Sequence, residues 1–177
     1  MKRYLHYLGI ALLFTTFSCN NSSTESKESL TKAIKNLEKE LFSSKKEIAK
    51  EKAKKIVNLY CEYVDKKPET KEAPEYLLKA ADVAMHTNQE VRAMDLLNKI
   101  QKDYPSFEEI DIAIFLCGHL YEDYFKNLKQ AKIYYNKVIN EYPNSQFSDD
   151  AKSAIDNLGL TPEQMLKKFM EKNKNKQ

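Results

Sequence analysis

Tryptophan is absent from this 177-residue chain, and glycine occurs only three times. So few glycines exclude the Gly-rich loops that cradle phosphates, and they argue against turn-rich β architectures. Histidine and cysteine are scarce too, at three residues each. His6 and Cys19 lie in the first twenty residues, leaving His86, His119, Cys61 and Cys117 for the body of the chain. Two histidines without a cysteine or carboxylate frame do not make a metal site, so neither metal nor cofactor is expected. Cys117 and His119 are two residues apart, a spacing that turns side chains away from each other on a helix. A nucleophile–base pair is therefore excluded there, and no enzyme is expected. Cys61 and Cys117 are read as small packed hydrophobes and not as a disulfide.

A strong net charge is also missing. The total is +3, and Lys2 and Arg3 supply two of those charges. This balance argues against nucleic-acid binding. The carboxylate pairs Glu108-Glu109, Glu122-Asp123 and Asp149-Asp150 are sequence neighbours, which diverge on a helix and read as solvated faces. The Lys-rich end from Lys167 to Lys176 reads as a frayed, solvated terminus, with contact to anionic lipid or nucleic acid as the alternative. No apolar run reaches membrane-spanning length. The one near the start, Tyr4 to Phe17, has fourteen residues where a spanning helix needs ~20.

What is present is a phrase that occurs twice. Ala93-Met94-Asp95-Leu96-Leu97-Asn98-Lys99-Ile100 closes with Asp103-Tyr104-Pro105. Ala131-Lys132-Ile133-Tyr134-Tyr135-Asn136-Lys137-Val138 closes with Glu141-Tyr142-Pro143. The second copy begins 38 residues after the first, and alanine to proline is 12 residues in both. Such a period marks stacked repeats. The small alanine lets two helices approach closely, and Leu97 or Tyr135, four residues on, fills the space beside it. The proline ends the helix. Before each phrase lies a second apolar set: Ile114, Cys117, Gly118 and Tyr121, and more loosely Leu77, Ala80, Ala81 and Ala84. Ala53, Val57, Tyr60 and Val64, followed by Pro68, suggest an earlier degenerate copy.

These residues resemble the tetratricopeptide repeat family. The resemblance covers roughly residues 45–160 and implies an all-α fold. Antiparallel helical hairpins would stack as a short right-handed solenoid, closed by a C-terminal capping helix with a polar outer face. Helical periodicity predicts a first helix from Leu30 to about Phe42 and a second to about Asp65, opened by a capping box at Ser44 and Glu47. A third is expected over about 73–86, a fourth capped by Thr87 and Glu90, and a fifth capped by Ser106 and Glu109. The apolar, β-branched run Ile110 to Cys117 is compatible with a strand. Helix is favoured because Ile110, Ile114, Cys117, Tyr121 and Tyr124 keep the period beyond strand length. Asn127 starts a sixth helix, Phe147 to Leu158 form a seventh that stops at Gly159, and Thr161-Pro162-Glu163-Gln164 opens an eighth.

The amino terminus carries an address. Lys2 and Arg3, the short apolar run, Ser18 and then Cys19 make a secretory signal over residues 1–18. The arrangement resembles a bacterial lipoprotein signal, which implies that Cys19 is lipidated and becomes the first residue. Asn20 after it implies the outer membrane, facing either the periplasm or the cell surface. Residues 19–29 are polar and read as a flexible tether, 30–172 as the helical repeat domain, and 173–177 as a disordered basic tail.

The family's groove pattern places Leu78, Asp82, Met85 and His86 on the concave side from the third helix, and Phe115, His119, Glu122 and Asp123 from the fifth. Phe115, His119 and Glu122 also fall on one helical stripe by spacing. The resemblance implies a lipid-anchored scaffold or adaptor of the cell envelope that binds a protein or peptide partner, with outer-membrane or envelope assembly as its setting. The competing reading is an accessory subunit that handles a small ligand or glycan, or an enzyme subunit.

Overall fold

The computed structural model describes residues 22–42 and 50–174, which form eight helices and no strand. They are α1 (Ser22–Phe42), α2 (Lys50–Lys66), α3 (Glu72–Met85), α4 (Glu90–Asp103), α5 (Ile110–Asp123), α6 (Leu128–Glu141), α7 (Gln146–Asn157) and α8 (Pro162–Lys174). Each helix from α1 to α6 packs on the next, and α5 also touches α7. Short turns joining packed neighbours give a stack of antiparallel hairpins, the all-α solenoid expected from the repeat. The ambiguous run at Ile110 is helix.

The repeated alanines sit where the packing argument requires. Ala53, Ala93 and Ala131 are fully buried, as are Leu97 and Tyr135 four residues beyond the last two. The degenerate first copy is also a hairpin, with Ala53, Val57, Tyr60 and Val64 buried between α1 and α3. One continuous core runs from Leu30 and Ile34 on α1 to Ala151 on α7. Each fully buried large side chain there, such as Ile56, Leu77 or Ile114, contributes about 1.5–3 kcal/mol.

Several local expectations are corrected. α1 begins at Ser22, so most of the segment expected as a tether is helical. Its apolar residues Leu30, Ile34, Leu37 and Leu41 are buried. Once those docked turns supply the costly nucleus, extending the helix toward the amino terminus is easy. The Thr87–Glu90 cap does not form. Thr87 instead donates its hydroxyl to the carbonyl of Val83 at 2.7 Å and finishes α3, and Asn88 turns the chain at φ 56°. Glu109, the residue before α5, caps it with no side chain, so the Ser106–Glu109 box is also absent. Tyr104 and Phe107 carbonyls hold that turn through backbone bonds. Asn127 does cap α6, accepting from the Gln130 amide, and Thr161 and Gln164 exchange the reciprocal bonds of a capping box. The box at Ser44 and Glu47, the leader, Cys19 and residues 175–177 lie outside the described residues.

The terminal helix departs most from expectation. α8 continues to Lys174, packs only slightly on the stack, and exposes an apolar row beside its polar face. Met165, Leu166, Phe169 and Met170 are all exposed. Among the described residues no helix is long and apolar enough to cross a membrane.

Candidate partner-binding groove

α3 and α5 are the first helices of the two central hairpins, and each leaves one stripe outside the core. On α3, Asp82 and His86 are exposed, while Leu78 and Met85 are half-buried against the core. The ring nitrogen Nδ1 of His86 lies 2.9 Å from the Asp82 carbonyl oxygen and 3.3 Å from its carboxylate. On α5, His119 and Asp123 are exposed, with His119 Nδ1 3.0 Å from the Asp123 carboxylate. Each stripe therefore carries an exposed histidine–aspartate pair four residues apart. Such a pair offers a carboxylate acceptor and an imidazole within one helical turn. α3 and α5 each pack on α4.

Two of the proposed groove residues are built into the scaffold. Glu122 is half-buried, and its Oε2 accepts a hydrogen bond from the Tyr135 hydroxyl at 2.7 Å. Phe115 is half-buried between Tyr135 of α6 and Phe147 of α7, with ring centroids 5.5 and 5.4 Å away. Its ring joins three helices and is not a free anchor. By spacing, Phe115, His119 and Glu122 share one stripe of α5. Of the three, His119 alone is exposed.

A second concavity was not anticipated. The α2–α3 and α4–α5 turns enclose a cleft of about 630 Å³. Pro68, Pro74, Pro105, Tyr104 and Phe107 provide its apolar lining. Glu69, Glu75, Asp103 and Glu108 outnumber Lys71 at its margin. The Lys99 ammonium hydrogen-bonds Asp103 at 2.8 Å and holds its carboxyl below the usual carboxylate range. Burial pushes the Tyr104 hydroxyl above its ordinary value. The signal for this cleft was available in the sequence. Pro68 and Pro105 are 37 residues apart, so their turns recur at the repeat period and fall on one edge of the stack.

The two remaining cysteines do not meet. Cys61 is half-buried on α2, and Cys117 is buried on α5 with Gln101 donating to its sulfur at 3.3 Å. Burial pushes the Cys117 thiol up to about 12.

Compared with known families, residues 75–106 and 118–145 match the tetratricopeptide repeat. These two segments match α3–α4 and most of α5–α6. The repeats so matched make up about a third of the chain. No curated protein and no solved structure matches. Repeats of this type serve as protein-interaction scaffolds, and their first helices line the concave surface.

Proposed function

We propose that the chain is a lipid-anchored scaffold or adaptor of the cell envelope that captures a protein or peptide partner along the first helices of its repeats. The observation that carries the reading is the pair of matched repeats whose first helices expose Asp82 with His86 and His119 with Asp123. Two carboxylates spaced along one edge of a repeat stack suit a basic or amphipathic segment. The leader over residues 1–18 and Cys19 supply the membrane address, with attachment to the outer membrane through Cys19. Partner capture, not catalysis, is the function, in the setting of outer-membrane or envelope assembly.

The test uses the two exposed carboxylates, because Glu122 is held by Tyr135 and cannot be changed without disturbing the hairpin. Asp82→Lys with Asp123→Lys reverses the charge of both stripes at exposed positions, where substitutions usually stay within about ±0.5 kcal/mol. The tagged wild-type chain should capture a stoichiometric protein from detergent-solubilised envelopes. The double variant should lose it without a change in melting temperature. Equal capture by both would move the binding surface elsewhere, and a bound small molecule or glycan in place of a protein would favour the ligand-handling reading. Separately, Cys19→Ser should release the protein from the membrane fraction.

A further inference from the structure

α8 carries an apolar surface that the other described helices do not cover. Met165, Leu166, Phe169 and Met170 are 40, 60, 63 and 58% exposed. At 100° per residue these four fall within an arc of about 140° on the helix, with Glu163, Gln164, Lys167, Lys168 and Glu171 outside it. Polar contacts start the helix and tie it to α7. Thr161 and Gln164 close its first turn, and the Lys168 ammonium donates to the Asp156 carbonyl oxygen at the end of α7. A gap between α7 and α8 is lined by Ser153, Asp156 and Asn157 on one side and Met165, Lys168 and Phe169 on the other. The α7 side of that gap is polar.

The edge from which α8 departs has the same character. Gly159 turns the chain at φ +77°, beside Leu128 at the start of α6. On that edge Tyr124, Phe125 and Leu128 are exposed, with Lys126 and Lys129 exposed among them. α8 itself has four lysines and two glutamates. An apolar arc on a lysine-rich helix, rising from an edge of aromatics and lysines, is the composition of a helix that lies in a membrane interface.

We propose that α8 contacts an anionic lipid surface, with Met165, Leu166, Phe169 and Met170 entering the boundary between headgroups and acyl chains and its lysines directed to lipid phosphates. A second copy of the chain fits less well. A 13-residue helix is about 20 Å long, so an apolar stripe about 10 Å wide offers on the order of 200 Å², against about 800 Å² per partner in a stable dimer. Pairing two such helices would also oppose like net charges, whereas an anionic surface attracts them. The inference does not depend on lipidation of Cys19.

The lack of tryptophan supplies the test. Phe169→Trp in the full chain, with Cys19→Ser so that no acyl group contributes, places a single fluorophore in the apolar row. Vesicles of mixed phosphatidylglycerol and phosphatidylcholine should shift its emission to the blue. Phosphatidylcholine vesicles alone should not, and about 1 M salt, which screens beyond ~3 Å, should suppress the shift. Adding Leu166→Glu and Met170→Glu should abolish it. Unchanged emission with the mixed vesicles overturns the proposal, and so does an equal shift with both vesicle types. Emission already blue-shifted without lipid, and lost on dilution, would assign the surface to a second copy. The fluorophore reads α8 alone, so failure here leaves the groove and anchor tests standing.

Discussion

The Tyr135 hydroxyl of α6 donates to the Glu122 carboxylate of α5 at 2.7 Å, closing the hairpin from inside. The same arrangement recurs one end of the stack away, where Tyr60 of α2 donates to Glu38 of α1 at 2.9 Å. In both cases the tyrosine ring is buried in the core and its hydroxyl reaches a carboxylate on the first helix of the hairpin. A charge-assisted bond satisfies the one polar atom that burying tyrosine brings inside.

Removing the acceptor should therefore cost stability. Glu122→Lys leaves the Tyr135 hydroxyl facing a cation and should destabilise by about 1–3 kcal/mol. For a chain of this size that corresponds to roughly 2–4 °C of melting temperature per kcal/mol. Glu122→Gln keeps an acceptor and should lose less. Thermal melts of the two variants compare them directly, and equal melting temperatures would contradict the role assigned to this bond.

Gly118 should not tolerate even one methyl group. In an ordinary helix interior, glycine to alanine gains up to about 1 kcal/mol. Here an added Cβ would lie 2.6 Å from Cε1 and 2.8 Å from Cδ1 of Tyr135. That ring is buried and held by Glu122, so it has little freedom to move aside. Gly118→Ala should thus destabilise by roughly 1–3 kcal/mol, the cost of overpacking. Chemical denaturation fixes the sign.

Phe115→Ala should behave as a core truncation. The ring fills the space between Tyr135 and Phe147 and ties α5 to α6 and α7. Because it is half-buried, the loss should be about 2–3 kcal/mol, below the ~3–5 of a fully buried phenylalanine. A denaturation midpoint close to wild type would return Phe115 to the groove as a free anchor.

Stability should fall in alkali, beginning near pH 9. Burial pushes the Cys117 thiol up to about 12. Burial first, and then the bonds to Glu38 and Glu122, push the Tyr60 and Tyr135 hydroxyls well above the ordinary tyrosine range. All three groups hold their protons more tightly when folded than when unfolded. As pH rises past the unfolded values, about 8.5 for the thiol and about 10 for the phenols, the unfolded chain releases protons that the folded chain keeps. Their stabilisation is complete below those values and is lost above them, for the thiol up to about 12. Each group adds at most about 1.4 kcal/mol per pH unit to the slope. Urea midpoints measured from pH 8 to 11 should fall, and Cys117→Ala should flatten the early part of the curve.

The sequence alone determined the helices and their stacking. Ala93 with Leu97 and Ala131 with Tyr135 are local pairs at helical spacing, and the prolines at 105 and 143 end their helices wherever the chain lies. A repeat whose meaning is local can be read without coordinates. It likewise determined the cap at Asn127 and the box at Thr161 and Gln164, whose partners lie three residues apart. The tertiary structure decided which side of each helix faces what. α5 is apolar on most of its circumference, so its period could not tell whether Phe115 and Glu122 face a groove or a neighbour. That answer came from Tyr135 and Phe147, which arrive from α6 and α7. Thr87 was captured by the end of α3 because a carbonyl four residues back was already in place. The exposure of Met165, Leu166, Phe169 and Met170 on α8 was likewise decided by how little of the stack reaches that helix, which its own period does not reveal.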